Sequence, residues 1–332
     1  MATGITTAAA TGTAPRRPRA VPAGAGVFLL VATVPLAFRA AGADGVTPVP
    51  QLLAFLPWLP VPAGLGLALS LAARWRPGLF WAAAVLLGLA AFVRPYGGDA
   101  PVSHGPVLAH LRVLTANLEF GRATDGLLAT LRREGPDLVA VQECDPLRCA
   151  AALESAGVRA AYPYRLLAGH GDAEGSAVLS RFPLTADGRV TGELAMPRAA
   201  VTVRGHRLRF QVAHPMPPLP ASLDTWRTEL GRLRALAASR GPEPLIVAGD
   251  FNSSQDHAAF RAVLDTGLRD SAGLAGRPRT PTWPARTTPV LGAQIDHVLV
   301  SETLHPGAAR FLDLTGTDHR ALLVDLELRA AR

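Results

Sequence analysis

Charged residues are almost missing from the first third of the chain and are regularly spaced after it. Residues 20–38 are 19 uncharged positions between Arg19 and Arg39; 29 more separate Asp44 from Arg74, and 17 separate Arg76 from Arg94. Crossing the hydrocarbon core of a bilayer takes about 20 apolar residues, with a lower limit near 17. The three stretches therefore predict three transmembrane helices within residues 21–94, preceded by a tail at 1–20. The second stretch holds Pro48, Pro50, Pro57, Pro60 and Pro62, so its helix is expected to begin after some of them. A water-facing bundle needs a polar stripe on each helix, and these stretches offer almost none.

Pro95, Gly97, Gly98, Pro101, Gly105 and Pro106 mark residues 95–106 as a linker. From 107 to 332 short apolar runs alternate with helical spacing. The continuous run at 245–248 reads as a strand buried on both faces and 138–141 as a second buried strand, with 111–117 and 295–300 as two more strands. Shorter strand-like runs fall at 164–167, 176–179, 200–203, 208–213 and 321–328. Helical spacing at Leu127, Leu128 and Leu131 predicts a helix over 123–134, stopped by Gly135-Pro136. Residues 146–156 and 219–239 read as two more helices. The elements follow no strict βαβ rhythm, so a simple doubly wound sheet fits poorly.

Charge sharpens the division. Residues 1–94 carry seven Arg against one Asp, a balance of +6, while residues 95–332 carry 26 Arg against 25 acids, a balance of +1. The basic character belongs to the apolar third, and a long cationic nucleic-acid groove is not indicated in the remainder. Arg16, Arg17 and Arg19 precede the first span, and Arg74 and Arg76 sit between the second and third. The positive-inside rule puts both groups in the cytoplasm and residues 95–332 outside, on a multi-pass anchor in the cell membrane. A rival reading makes the first span a cleaved signal peptide ending at Ala41-Gly42-Ala43, with the same outside location. The two cysteines, Cys144 and Cys149, are too few for a disulfide framework or a thiolate metal site. Five positions apart at a predicted helix start, they are expected to be free, mostly buried thiols.

Polar residues recur where the strands stop. Asn117 ends the first strand and Glu119 follows two residues on; Glu143 follows the second, and His214 ends the run at 208–213. Asp250 and Asn252 follow Gly249, Asp296 opens the strand at 296–300, and Asp318-His319 precedes the last. Each alone reads more simply as a cap, a turn or a solvated surface group. Together they fit the rule that α/β sites gather at strand ends. Alternate residues of an extended chain point the same way, so Asp250 and Asn252 can aim at one point, and His297 should face away from Asp296.

The ordered set resembles the endonuclease/exonuclease/phosphatase superfamily, whose members include DNase I-like nucleases, inositol-phosphate phosphatases and neutral sphingomyelinases. The matching motifs are Thr115-Ala116-Asn117, Gln142-Glu143, the run Gly175 to Pro183, His214, Gly249-Asp250-Phe251-Asn252, Ile295 to Leu299 and Thr317-Asp318-His319. The resemblance implies an α/β (α+β) fold of four layers, two mixed sheets face to face with helices outside. It implies a phosphohydrolase using Mg2+, with Mn2+ as the other fitting ion. Glu143 is then the first metal ligand, with Glu119 and Asp318 as weaker ones. His319 is the expected general base and Asp296 its orienting carboxylate. Asp250 positions the attacking water, Asn252 and Asn117 hold phosphate oxygens, and His214 stabilises charge on the phosphoryl group. Ser176 lacks the elbow of a serine hydrolase.

The three-span anchor and His214-Pro215-Met216-Pro217-Pro218 look like a narrower group, the membrane-bound VanJ-type proteins linked to glycopeptide resistance and to recycling of undecaprenyl pyrophosphate. The expected partners are the lipid bilayer and a lipid-linked or small phosphate substrate. An extracellular nuclease and an inactive binding module of the same fold are the alternatives. The near-neutral domain counts against the first, and the complete polar set counts against the second.

Overall fold

The computed structural model describes residues 20–96, 103–287 and 290–331. The tail arginines Arg16, Arg17 and Arg19, and residues 97–102 of the expected linker, lie outside the described residues.

The N-terminal third folds as three packed apolar helices, α1 (Ala20–Ala40), α3 (Pro60–Ala72) and α4 (Arg76–Phe92). Only α1, at 21 residues, is long and apolar enough by itself to cross a membrane; Leu56–Ala72 and Arg76–Phe92 are shorter apolar helices. The expectation of three full spans is not met: among the described residues one helix has the length and apolar character of a span, and it lies near the N-terminus, where a signal sequence has the same character. The prolines explain the second: they break off a separate helix, α2 (Val49–Ala54), and a 3-10 turn at Leu56–Trp58 before α3 begins. Ala32, Leu53, Leu56, Ala63, Val85 and Leu89 fill the space between the helices. The outer surfaces stay apolar, with Val27, Leu30, Val61, Leu65, Phe80 and Leu87 all exposed.

The remainder forms two six-stranded mixed sheets. The first contains β1 (Val107–Asn117), β2 (Leu138–Gln142), β3 (Tyr164–Ala168), β4 (Ser176–Ser180), β11 (Leu304–Asp313) and β12 (Arg320–Arg329), in the order β11-β12-β1-β2-β4-β3. The second contains β5 (Leu184–Val190), β6 (Met196–Val203), β7 (His206–Ala213), β8 (Leu245–Asp250), β9 (Arg269–Asp270) and β10 (Asp296–Val300), in the order β5-β6-β7-β8-β10-β9. In each sheet one central pair is parallel, β1 with β2 and β7 with β8, and the other pairs are antiparallel.

Leu111, Val113, Ala140 and Val324 of one sheet meet Phe210, Val212, Ile246, Ala248 and Val298 of the other in a single core. The opposite faces are covered by helices. On the first sheet Leu114, Val139 and Val141 pack against Leu127 and Leu131 of α5 (Thr124–Glu134). On the second, Val247, Phe251 and Leu299 pack against Trp226, Leu230 and Leu233 of the helix Leu223–Ala238. The expected four-layer sandwich is therefore present.

Three strands carry too little pattern to have been read: β5, β11 and the two-residue β9. Four of the seven residues of β5 are exposed and their pattern does not alternate, and β11 contains Pro306 and Gly307 at a register shift. The helix expected over 146–156 is instead a π-type turn, Pro146–Ala150, followed by two short helical pieces, Ala151–Leu153 and Ala156–Ala161. The Asp145 carboxylate caps that turn by accepting from the backbone N–H groups of Arg148 and Cys149. The turn brings the Cys144 and Cys149 Cα atoms to 5.0 Å, and the two thiols form a disulfide. This corrects the expectation of free cysteines: a regular helix would have held them too far apart, whereas the capped turn does not.

Candidate active site

Period-two alternation builds the site. In β1 the inward-facing row is Leu111, Val113, Thr115 and then Asn117. In β7 it is Leu208, Phe210, Val212 and then His214; in β8, Ile246, Ala248 and then Asp250; in β10, Val300, Val298 and then Asp296. The polar cluster is the continuation, by one step, of the rows that form the inter-sheet core. Asp296 sits directly opposite Asp250 in the β8–β10 ladder. Gly249 lets β7 and β8 meet beneath it, since a Cβ there would lie 1.9 Å from the Ala213 carbonyl oxygen. Substituting Gly249 therefore disturbs His214 and Asp250 together.

Four of the seven non-glycine residues with positive φ among the described residues are here: Glu119 (46°), Phe120 (58°), Glu143 (54°) and Asn252 (46°). Left-handed backbone is uncommon for such residues and clusters where function holds it in place. At Glu143 it redirects the side chain after β2 ends at Gln142, so the carboxylate turns toward Asn117. Asn117 Nδ2 donates to Glu143 Oε1 at 3.0 Å and to Asp250 Oδ2 at 3.1 Å, bridging the two sheets. The Phe120 N–H donates to Glu143 Oε2 at 2.8 Å, and the Glu119 N–H to Asn117 Oδ1 at 2.9 Å.

His319 stands at the centre. Its Nδ1 is 2.9 Å from Asp296 Oδ2, and its Nε2 is 3.8 Å from Asp250 Oδ2 and 3.9 Å from Asp318 Oδ1. Burial works against a charged imidazole, yet Asp296, Asp250 and Asp318 outweigh it and raise His319 to about 10. Burial raises Asp250 to about 7 against the lowering effect of the His319 charge. The two titrate as a unit and not as independent groups. Asp296 is fully buried, and its Oδ1 has no hydrogen-bond partner. The Thr317 hydroxyl donates to the Asn117 carbonyl at 3.0 Å and accepts from the His319 N–H, tying the last loop to β1.

His214 is buried, with Nε2 3.9 Å from Glu143 Oε1 and Nδ1 unpartnered. Burial, and then the His319 charge, lower it to about 3. It is therefore neutral at working pH. Its folded value lies below its unfolded value near 6.5, so protonation favours the unfolded chain. Metal-free protein should thus lose stability as pH falls from 6.5 toward 3. His214→Asn should flatten part of that decline in a series of melting curves; a slope equal to wild type would show that His214 carries none of it.

The other expected residues are placed as follows. Asn252 Nδ2 donates to the Pro215 carbonyl at 3.0 Å, and its N–H donates to Asp250 Oδ1. Glu119 lines the cavity and pairs with Arg122 at 2.6 Å. Asp318 Oδ2 accepts from the indole N–H of Trp283 at 2.8 Å. His297 faces away as alternation requires, bonded to Asp270 and the Ser253 carbonyl and packed on Phe251 and Phe260.

A cavity of about 530 Å³ opens over this cluster. Glu143, His214, Asp250, Asn252 and His319 lie on one side of it. Its remaining walls include Phe120, Met216, Pro217, Leu219 and Trp283, and also Pro50, Gln51, Ala54 and Phe55 from α2 and the turn after it. Sequence reasoning missed these wall residues. A lone Trp283 and a proline-rich apolar stretch carry no signal that they share a cavity with Asp250.

A model of the endonuclease/exonuclease/phosphatase family matches residues 114–319. The chain belongs to this family. Its members are metal-dependent hydrolases that act on phosphodiester bonds. No curated protein matches the chain. Among solved structures, D. rerio TDP2 complexed with single strand DNA product is 19% identical, with a TM-score of 0.53 over 66% of this chain and 99% of that one. The 3' phosphatase NExo from Neisseria, bound to a product DNA hairpin, is 19% identical with a TM-score of 0.52 over 64% and 98%. An endonuclease/exonuclease/phosphatase from Beutenbergia cavernae is 22% identical with a TM-score of 0.53 over 67% and 72%. At these identities the likeness is one of fold.

The donor set of this family member fits a hard divalent cation. Carboxylates predominate, no thiolate is present, and a buried acceptor oxygen on Asp296 is unsatisfied. Among the described residues, the group whose ligand atoms all lie within 4.8 Å of one another is Asp250, Asp296 and His319. The sequence reading made His319 the general base, Asp296 its orienting carboxylate and Asp250 the group that positions water, and gave the metal to Glu143, Glu119 and Asp318. Each Glu143 oxygen accepts one hydrogen bond, which leaves lone pairs on both.

Proposed function

We propose that this chain is a membrane-anchored phosphohydrolase that cleaves a phosphate ester or pyrophosphate carried on a lipid, outside the cytoplasm. The observation that carries the reading is the composition of the cavity: the polar cluster at the strand ends and Pro50, Ala54 and Phe55 of the apolar N-terminal third line the same space. The narrower resemblance to VanJ-type proteins, and with it an undecaprenyl pyrophosphate substrate, accords with that composition. The exposed apolar surfaces of α3 and α4 support their insertion beside α1 in a multi-pass anchor, despite their lengths of 13 and 17 residues. The Cys144–Cys149 disulfide supports an oxidising location.

Mg2+, when bound, neutralises charge on the phosphoryl oxygens, and the carboxylates of Glu143 and, more weakly, Glu119 and Asp318 would hold it. The chain's own residues do the rest. A water beside Asp250 and His319 attacks phosphorus, and its proton passes to the Asp250–His319 unit as the bond to the leaving oxygen breaks. Asp296 holds the His319 ring through Nδ1, so Nε2 faces the reaction. Asn252, with one amide N–H not taken by Pro215, holds a non-bridging oxygen, whereas Asn117 gives both of its amide hydrogens to Glu143 and Asp250 and so fixes those carboxylates, which corrects the expected phosphate-binding role of Asn117. Neutral His214, unable to repel the cation, lends a donor to charge that builds on the non-bridging oxygens.

The experiment is hydrolysis by the full chain in detergent of a prenyl diphosphate, read as released phosphate, of a single-stranded oligonucleotide, read as shortened strands, and of bis(p-nitrophenyl) phosphate, read as p-nitrophenol, with Mg2+ and with chelator. The expected result is a Mg2+-dependent rate highest on the prenyl diphosphate. Faster cleavage of the oligonucleotide, falling steeply with salt as phosphate contacts are screened, would replace this reading with the nuclease.

A further inference from the structure

The segment between α1 and α3 is not a simple connector. One face of α2, at Val49 and Leu53, packs into the helix bundle. Its other face, one helical turn repeated at Pro50 and Ala54 and at Gln51 and Phe55, lines the catalytic cavity. The segment is fixed onto the catalytic domain at several points. The Asp44 carboxylate accepts from the N–H groups of Ala258 and Ala259 at 2.6 and 3.0 Å. His257 Nε2 is 2.8 Å from the Pro50 carbonyl oxygen. Gln51 Nε2 donates to the Pro218 carbonyl, and the Trp58 indole N–H donates to the Gly292 carbonyl at 2.8 Å. Phe55 meets Trp283 with ring centroids 6.3 Å apart, and Trp283 in turn donates to Asp318 beside His319.

We infer that this segment is a substrate-determining wall, which makes the site a slot for one terminal phosphoryl group whose apolar carrier chain lies along Phe55, Trp283 and Leu219 toward the helix bundle. The inference rests on the proposed lipid-linked substrate and adds which residues select it. The phosphoryl end has its partners at the strand ends. The chain end needs an apolar wall that begins at the same cavity, and Pro50, Ala54, Phe55, Leu219 and Trp283 supply one. A polynucleotide would instead present further charged phosphates to Phe55, Trp283 and Leu219, which offer no cation.

The test compares three variants in full-length protein: Phe55→Ala, Ala54→Asp, which puts a charge on the same wall, and the conservative Phe55→Leu. Melting curves are recorded for each, and kcat/KM is measured for farnesyl diphosphate and for bis(p-nitrophenyl) phosphate. The expected result is that the ratio of the first to the second falls about tenfold in Phe55→Ala and in Ala54→Asp, the discrimination given by a few buried methylenes, through KM more than kcat. Phe55→Leu should restore most of it. A ratio unchanged in both variants, at unchanged melting, overturns the inference. So does a gain on every substrate including an oligonucleotide, which would make the segment a cap over the site. If wild type hydrolyses bis(p-nitrophenyl) phosphate but not the prenyl diphosphate, the proposed substrate itself fails, and that outcome is separate from the other two.

Discussion

Asp250→Ala and His319→Ala should each lower kcat by about a thousandfold, within the range that a positioned acid–base group contributes, and they should differ in what they do to stability. Asp250 is 2% exposed, and burial raises its carboxyl group to about 7. The fold therefore bears a cost for keeping it charged, which offsets the hydrogen bonds from Asn117 and Asn252 that its removal leaves unmade, so the melting temperature should stay close to wild type. His319 is the opposite case. Its value, raised to about 10, means that the folded state binds its proton more tightly than the unfolded chain does. That contribution is fully present below about pH 6.5 and is lost as pH rises toward 10. His319→Ala also leaves Asp296 buried with neither oxygen satisfied by a side chain. Its melting deficit against wild type should be largest near pH 6 and should shrink by pH 9.5. Activity within tenfold of wild type in either variant, at an intact melting transition, would remove the Asp250–His319 unit from the chemistry.

That contrast was only partly legible in the sequence. Asn117, His214, Asp250 and Asp296 could be picked out because each ends an apolar run whose alternation fixes the side it faces, and the structure places all four on the extension of the inter-sheet rows. His297 could be set aside on the same ground. Glu143 could be named, but its direction could not, because a left-handed φ of 54° turns it and no residue-type preference announces that for Glu. The disulfide was misread because spacing was measured against a regular helix, whereas Asp145 caps a π-type turn. The largest omission was the contact of the apolar third with the site. Periodicity reports which face of a helix is apolar and not what that face meets, so Phe55 and Trp283, 228 positions apart (283 − 55), left no trace of their pairing. The same limit applies to the ionic joint behind them.

Asp256→Ala should destabilise the full chain by about 3–5 kcal/mol, the cost of breaking a buried ion pair from one side. Asp256 is fully buried, and its carboxylate joins two arginines from distant parts of the chain: Arg39 at the end of α1, at 3.3 Å, and Arg279, bonded through both terminal nitrogens. The Arg39 and Arg279 side chains are 9% and 11% exposed. Arg39 also lies over the rings of Phe92 and Tyr96 at 4.9 and 5.8 Å, and Arg279 donates to the carbonyls of Phe92 and Val93. One carboxylate thus fastens the adjacent C-terminal ends of α1 and α4 to the catalytic domain. Removing it strands two guanidinium groups away from water, and the rings and carbonyls that remain do not neutralise them. The control is Asp224→Ala, which breaks an ion pair with Arg227 at 3.1 Å from a side chain that is 97% exposed. Exposed pairs contribute little, so that variant should melt with wild type. The measurement is thermal unfolding in detergent, where a loss of this size moves the midpoint by roughly 10 °C. Because the same joint seats α2 against the cavity, Asp256→Ala should also lower the prenyl diphosphate preference at temperatures where the catalytic domain is still folded. A midpoint within a degree or two of wild type would mean that the bundle is held to the domain by its apolar contacts and the Asp44, Gln51 and Trp58 hydrogen bonds alone.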